Sequence, residues 1–279
     1  NAFENMTYLR HIILPVDLKR IGRYAFNGVE LTSSLLLPEG LTHVYDHAFC
    51  GVFSIEMPSS LEYIGEWVFR SGITGELRLT DNLKHIGRGA FLDAQLTGTF
   101  YLPSKLEYLG EEAFGSFGKN LSGDIVIPST ITEVPSSAFR NMGFANGTNL
   151  ILHDGIKRIS GRAFQGTKIK NSLSWPVALE IIQYNAFAGC GINMYDFDFP
   201  DNIKSIGAGA FNGNHIQGIL EVPESLTLLE SGTSDLYIGA ADVEGVFSNN
   251  DIESVVISDN LLHIGKMSFR NCARLSKIH

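Results

Sequence analysis

A small residue followed by Phe recurs along the whole chain at a nearly fixed interval. The pair stands at Ala2-Phe3, Ala25-Phe26, Ala48-Phe49, Val68-Phe69, Ala90-Phe91, Ala113-Phe114, Ala138-Phe139, Ala163-Phe164, Ala186-Phe187, Ala210-Phe211, Val246-Phe247 and Ser268-Phe269. Successive Phe residues are 20 to 25 positions apart, except for one gap of 36. A period in this range indicates a solenoid, because each unit buries its apolar face only against its neighbours.

Each repeat combines a segment of fixed length with one of variable length. In most repeats two alternating apolar residues precede a Pro, as Ile12 and Leu14 precede Pro15. The second apolar residue lies 12 positions before the Phe in ten of eleven repeats, for example from Leu14 to Phe26. The segment of fixed length predicts the part of each repeat that aligns with the same part of its neighbours. The segment of variable length predicts a turn on the surface.

A single solenoid accounts for the entire chain of 279 residues, with about 11–12 repeats. From Val222 to Phe247 the spacing is 25 rather than 12, which predicts an insertion near residues 230–242. Both ends of the chain fall inside a repeat and lack the polar caps that solenoids need. We therefore expect the chain to be a segment of a longer protein.

Composition and charge exclude several functional classes. The chain is 44% hydrophobic and 18% charged, which is enough to sustain a continuous core. A net charge of −9 without any basic cluster argues against nucleic acid as a partner. No apolar run approaches the roughly 20 residues of a membrane-spanning helix, so no direct membrane insertion is predicted.

Two kinds of residue are expected to be buried in the repeat. Cys190 and Cys272 each follow a repeated Phe by three positions, which favours buried thiols over a disulfide across several turns. A recurrent Ile-Gly pair favours close packing between coils. Pro135 stands where most repeats have that Gly, and since Pro fixes φ near −65°, the position does not need left-handed backbone. The Gly residues are Gly22, Gly65, Gly87, Gly110, Gly207 and Gly265.

The repeating unit LxxIxLPxxLxxIGxxAFxx resembles the bacterial BspA-like, or Treponema-type, leucine-rich repeat, over essentially the whole chain. The resemblance implies an α/β-class repeat protein that is predominantly β. Its fold would be a right-handed leucine-rich-repeat solenoid with parallel strands on the concave face and an irregular or short-strand convex side. It also implies an extracellular or cell-surface location, with some members binding host proteins, and it supplies no common catalytic residue.

Outward positions of the predicted strands form two columns, one of which contains an apolar patch. Tyr101, Val126 and Ile151 occupy successive repeats of this column. Exposed apolar side chains of this kind predict a docking site for a protein partner. The structural alternative, which we favour, is that β-branched and aromatic residues simply stabilise strand ladders.

Asp196, Asp198 and Glu221 place carboxylates on adjacent turns, about 4.8 Å apart. Such a group would suit a Ca²⁺ ion or imitate the acid pair of a retaining glycosidase. The sequence implies no cleft around these residues and nothing that would desolvate them. A solvated acidic strand face is therefore the favoured interpretation, with partner binding as the functional one.

His43, Asp46 and His47 superficially resemble a run of metal ligands. His43, however, shares its repeat position with Tyr63 and His85, which predicts an exposed polar column rather than a metal site. The sequence contains no G-x-S-x-G nucleophile elbow, Walker loop or HExxH motif. Neither an enzyme nor a cofactor is therefore expected.

The leading functional hypothesis is a non-catalytic, cell-surface or secreted module for protein binding or adhesion. Its partner would be an extracellular protein, such as a host matrix protein or another surface protein. One alternative is a glycan-binding or glycan-processing surface protein that uses Asp196, Asp198 and Glu221. Another is a structural spacer that holds a separate domain away from the cell.

Overall fold

The computed structural model describes residues 1–29, 35–49, 55–71, 73–76, 78–170, 173–229 and 245–279. The predicted insertion near residues 230–242 and Cys50 lie outside these ranges. The described residues form parallel strands and turns without a helix, so none of them forms an apolar helix that would cross a bilayer. The predicted fold class, a predominantly β leucine-rich-repeat solenoid with parallel strands, is confirmed.

The chain divides into two compact units. The first contains Asn1–Ile131 and Ala138–Asn146, and the second contains Thr132–Ser137 and Gly147–His279. Both are built from turns that carry two strand-forming segments. We call the segment that leads to the Pro the leading segment, and the segment that contains the Ile-Gly pair the return segment.

The return segments form two-residue strands in which the second residue is generally buried, because side chains alternate across a strand. In the first unit they make one parallel sheet, composed of β1 (Arg20–Ile21), β3 (His43–Val44), β5 (Tyr63–Ile64), β7 (His85–Ile86) and β9 (Tyr108–Leu109). In the second unit they make another, composed of β12 (Glu133–Val134), β14 (Arg158–Ile159), β15 (Ile181–Ile182), β17 (Ser205–Ile206), β19 (Leu228–Leu229) and β21 (His263–Ile264).

The leading segments form strands of more variable length, grouped into smaller parallel sheets. Those of the first unit are β2 (Leu35–Leu36), β4 (Ile55–Glu56), β6 (Thr74–Glu76), β8 (Gln95–Phe100), β10 (Leu121–Gly123) and β11 (Ile125–Val126). Those of the second unit are β13 (Leu150–Ile151), β16 (Asn193–Tyr195), β18 (His215–Glu221), β20 (Asp251–Val256) and β22 (Lys277–Ile278). Within the second unit, β16, β18, β20 and β22 pair in that order into a four-stranded sheet.

The repeated Phe residues stack into a ladder inside each unit, as the period predicts. From Phe3 to Phe139 in the first unit, neighbouring ring centroids are 5.2 to 6.1 Å apart. From Phe164 to Phe269 in the second unit, they are 5.3 to 6.1 Å apart. The backbone follows the same step, since the N–H of Phe187 donates to the carbonyl of Ala210 at 2.8 Å. The ladder therefore joins side-chain packing and backbone hydrogen bonding between turns.

The expectations for Gly and Cys are also confirmed. None of the six Gly residues of the Ile-Gly pairs has a positive φ. At Gly65 a Cβ atom would lie 2.7 Å from the backbone nitrogen of Asp46, so close packing between turns explains this glycine. Cys190 and Cys272 are buried free thiols, and the Sγ of Cys190 lies 3.0 Å from the carbonyl oxygen of Phe164.

Candidate interaction surfaces

The three residues of the predicted apolar patch all point outward. Tyr101 and Val126 belong to the first unit and Ile151 to the second, with exposed fractions of 40%, 45% and 47%. The Tyr101 hydroxyl donates a hydrogen bond to the carbonyl of Leu79. Partial burial, followed by the nearby carboxylate of Asp81, raises the pKa of Tyr101 above its ordinary value. Each side chain thus offers apolar surface, and that of Tyr101 is anchored by its hydroxyl.

Tyr101 also forms part of a small open groove of about 430 Å³ in the first unit. Glu39, Arg78 and Asp81 contribute charged groups of both signs to its lining. Arg78 pairs with the carboxylate of Glu76 at 2.9 Å, so its positive charge is already compensated. The groove is therefore polar and mixed in sign.

Asp196, Asp198 and Glu221 line a second open groove, of about 800 Å³, in the second unit. The expectation that no cleft surrounds them is wrong. The groove forms because the turns that end two neighbouring leading segments also contribute side chains, among them Asp201 and Glu224. Both acids come directly after a Pro, at Pro200 and Pro223. That Pro-acid pair was the sequence signal that would have extended the predicted site.

Asp196 has a structural task that the sequence did not reveal. Its Oδ1 accepts a hydrogen bond from the backbone N–H of Ile219 at 2.7 Å. Its own N–H donates to the carbonyl of Gln217 at 3.0 Å. This contact lies where the register between β18 and β20 shifts, between Gly218 and Ile219. The Asp196 carboxylate therefore supports the irregular part of the sheet, and Asp198 and Glu221 are the predicted acids with freer carboxylates.

Aromatic side chains form a firm floor beneath the groove. Phe197 and Phe199 are buried and pack edge-to-face, with ring centroids 5.0 Å apart. Both rings also contact Phe247 edge-on, at 5.8 Å. The indole N–H of Trp175 donates to the carbonyl of Asp198 at 2.6 Å and holds the backbone beside the groove. The carboxylates thus stand on a densely packed support.

The candidate acids and histidines do not gather into a metal site within the described residues. Across the described ranges, no three His, Cys, Asp or Glu side chains lie close enough together to hold a metal ion. This applies to Asp196, Asp198 and Glu221 and also to the run from His43 to His47. An open groove suits the binding of an extended ligand better than the enclosure of a reacting one.

The column that includes His43 is polar and at least partly exposed, but its rings also stack on one another, which was not predicted from the sequence. His43, Tyr63, His85 and Tyr108 stack in that order, with ring centroids 5.5, 4.3 and 4.4 Å apart. The first three side chains are half-buried, and burial lowers the pKa of His85. Planar rings in the same register on adjacent strands lie within stacking distance of one another. The shared repeat position predicted the column, and the presence of rings at successive positions was the signal for stacking.

The stacked parallel turns define the class of protein, a leucine-rich-repeat protein. The family model described as BspA type Leucine rich repeat region, in six copies, matches residues 1–120, 32–145, 116–233 and 243–279. The chain therefore belongs to the BspA-type leucine-rich-repeat family. No curated protein matches the chain.

Three solved structures resemble the chain. A leucine-rich repeat protein from Bacteroides ovatus is 24% identical with a TM-score of 0.53, over 93% of this chain and 58% of that one. YopM from Yersinia enterocolitica is 14% identical with a TM-score of 0.39, over 90% and 63% of the two chains. A leucine rich cell surface protein from Faecalibacterium prausnitzii is 14% identical with a TM-score of 0.38, over 93% and 82%. The chain spans less than two thirds of the first two proteins, and the first supports the fold.

Proposed function

We propose that this chain is a non-catalytic module for protein binding or adhesion, at the cell surface or in secreted form, with an extracellular protein as its partner. The observation that carries the proposal is the set of outward apolar side chains on the leading segments, Tyr101, Val126 and Ile151. Large apolar side chains presented on a rigid strand framework suit the centre of a protein interface. Membership of the BspA-type family, a repeat architecture with an extended surface, supports the same role.

The organisation proposed for residues 1–279 is one solenoid of about 11–12 repeats, with an insertion near residues 230–242. The repeat period continues through the residues of both units, and one family match runs from 116 to 233. Limited proteolysis of the full chain tests this organisation. A single solenoid should resist cleavage near residues 131–147, whereas early cleavage there into two stable fragments would contradict it.

Surface plasmon resonance of the full chain against purified extracellular matrix and surface proteins tests the function. Tyr101→Ala and Ile151→Ser should each weaken binding by about tenfold. The free energy of unfolding should fall by no more than about 2 kcal/mol, because both side chains are only partly buried, and both variants should remain folded. Tyr8→Ala, at a fully exposed ring of the first turn, is the matched control and should bind like the wild type.

Two results would refute this assignment. One is the absence of saturable binding to every protein of the panel. The other is unfolding of both variants, which would show that Tyr101 and Ile151 serve the fold.

Carbohydrate binding is the second candidate, and the groove of the second unit is the observation that favours it. Its carboxylates would accept hydrogen bonds from sugar hydroxyls. A glycan array with a parallel hydrolysis assay separates the two functions. Carbohydrate binding that disappears in Asp198→Ala would replace the first proposal, and a hydrolytic activity lost in the same variant would also overturn the non-catalytic assignment.

A further inference from the structure

The second unit presents a sheet face with exposed apolar side chains on two neighbouring strands. Ile219 on β18 and Val256 on β20 have exposed fractions of 45% and 37%. Ile219 pairs with Ser254, two residues before Val256, so the two side chains share one face of adjacent turns. Apolar groups spaced across neighbouring strands offer contact area to an extended chain.

The groove beside this face is acidic and carries no basic group. Asp198, Asp201, Glu221 and Glu224 line it together with Asp196, and no Lys or Arg side chain does. Within the described residues, none of these carboxylates forms an ion pair. The groove therefore has an excess of negative charge that the chain itself does not neutralise.

An unpaired polar atom lies in the same groove. The buried hydroxyl oxygen of Ser225 has no hydrogen-bond partner among the described residues, and Ser225 belongs to the groove lining. A buried polar group without a partner carries a desolvation cost that an incoming donor or acceptor would relieve. The hydroxyl thus adds a polar group to the groove that is independent of the carboxylates.

We propose that this face, defined by Ile219 and Val256 with the adjoining acidic groove, binds an extended protein segment rich in Lys or Arg. Its cationic side chains enter the groove, and its apolar residues lie on the two exposed side chains. The proposal rests on the protein-binding function and specifies the chemistry of the partner. Opposite charges across an interface raise the association rate and select the partner.

Three features favour this occupant over others. Carboxylates accept paired hydrogen bonds from guanidinium groups and short ones from ammonium groups. The aromatic floor of Phe197 and Phe199 is already packed, which lowers the entropy lost on binding. The groove of the first unit serves as an internal contrast, because its lining has two carboxylates and the cation of Arg78, against five carboxylates and no cation in the lining of the second groove.

Fluorescence polarisation with the full chain and three labelled nonapeptides tests the proposal. The peptides alternate Leu with Lys, Leu with Ser, or Leu with Glu. The Lys peptide should bind at least about tenfold more tightly than the other two, and its affinity should fall as salt rises from about 0.05 to 0.3 M. Equal binding of all three peptides would overturn the proposal without any variant.

Isosteric variants locate the site. The triple variant D198N/E221Q/E224Q should lose at least about tenfold in affinity for the Lys peptide. The control D17N/D93N/E107Q neutralises three exposed carboxylates of the first unit and should change the affinity less than about twofold. An equal loss in both would mean that net charge alone acts, and the proposal would be wrong. Thermal melting confirms that both variants fold.

The outcome is separable from that of the proposed function. If a protein of the panel binds the wild type and D198N/E221Q/E224Q with equal affinity, the proposal of a cationic partner is wrong and the proposed protein-binding function stands. If the Lys peptide binds but no protein of the panel does, the acidic site is supported and the proposed binding of extracellular proteins is not. A sugar that displaces the Lys peptide would assign the groove to glycans.

Discussion

A Cβ atom placed on Gly110 would stand 2.5 Å from the carbonyl carbon of Gly87, its equivalent in the preceding turn. Gly87 has the same relationship to Gly65, again at 2.5 Å. None of these glycines has a positive φ, so backbone conformation alone would allow another residue. The glycines are required because backbones of adjacent turns come too close for a side chain.

Gly110→Ala should therefore destabilise the protein by about 1–3 kcal/mol, because the added methyl group must displace backbone rather than a mobile side chain. Gly22→Ala is the matched control, since nothing lies within 4 Å of a Cβ at that position. It should be neutral or stabilise by about 0.4–1 kcal/mol through the unfolded state. Urea unfolding of both variants measures the difference, and equal effects would refute the packing argument.

The sequence predicted these close contacts because the Ile-Gly pair recurs in register, and Pro135 excluded a conformational explanation. It did not predict the left-handed residue that precedes the small residue of each Ala-Phe pair. Tyr24, His47 and Trp67 occupy that position with φ of 55°, 56° and 56°. Bulky side chains rarely adopt this conformation, so their presence carries no local signal. The turn geometry imposes it through contacts between repeats.

The Phe ladder yields a second prediction. Phe187 is fully buried and stacks between Phe164 and Phe211, with ring centroids 5.3 and 5.5 Å away. Phe187→Ala should cost about 3–5 kcal/mol, since it opens a cavity in a stack that the neighbours cannot close. Phe3→Ala should cost less, because that ring is partly exposed and has one stacking partner, Phe26, among the described residues. If thermal melting shows a larger loss of stability for Phe3→Ala than for Phe187→Ala, the Phe ladder is not the main source of stability.

In two repeats of the second unit, a buried Asn stands three residues after the repeated Phe, at Asn214 and Asn250. Asn214 stands three residues after Phe211, where the repeat before it has Cys190. Its Oδ1 accepts from the N–H of Ile192 at 3.0 Å, and its Nδ2 donates to the carbonyls of Phe187 and Phe211, both at 2.9 Å. The side chain therefore satisfies three backbone groups in two neighbouring turns.

Asn214→Ala should destabilise the protein by about 1–3 kcal/mol for each backbone group left buried without a partner. Asn193→Ala removes an exposed amide and should change stability by no more than about 0.5 kcal/mol. Chemical denaturation gives both values, and hydrogen exchange at Ile192 adds a local readout. Unchanged protection of the Ile192 amide in Asn214→Ala would show that the hydrogen bond is dispensable.

The candidate sites were only partly predictable for a related reason. Asp198 and Glu221 were identified because alternation along a strand assigns outward positions without knowledge of the turns. The groove was missed because its far wall comes from Asp201 and Glu224, and the path of a turn depends on packing between repeats. Ser225 was missed as well, since an unpartnered hydroxyl is a property of three-dimensional surroundings and has no sequence pattern.

The stack around His85 provides the last prediction, a dependence of stability on pH. His85 lies between Tyr63 and Tyr108, with ring centroids 4.3 and 4.4 Å away. Burial lowers the pKa of His85 in the folded protein, and the carboxylate of Asp46 opposes that shift only in part. Between the folded pKa and the unfolded value of about 6.5, the unfolded chain binds more protons, so stability rises with pH.

The stabilisation from neutral His85 should thus be complete above about pH 6.5 and decline as the pH falls through the folded pKa. His85→Phe keeps a stacked ring and removes the titration, so its unfolding free energy relative to the wild type should improve from pH 7.5 to pH 5. Tyr108→Phe is the control, since it keeps both the stack and His85 and should leave the slope unchanged. Parallel curves for the wild type and His85→Phe would contradict the prediction. A wild type that gains on acidification would mean that the two Tyr faces stabilise the imidazolium more than burial penalises it.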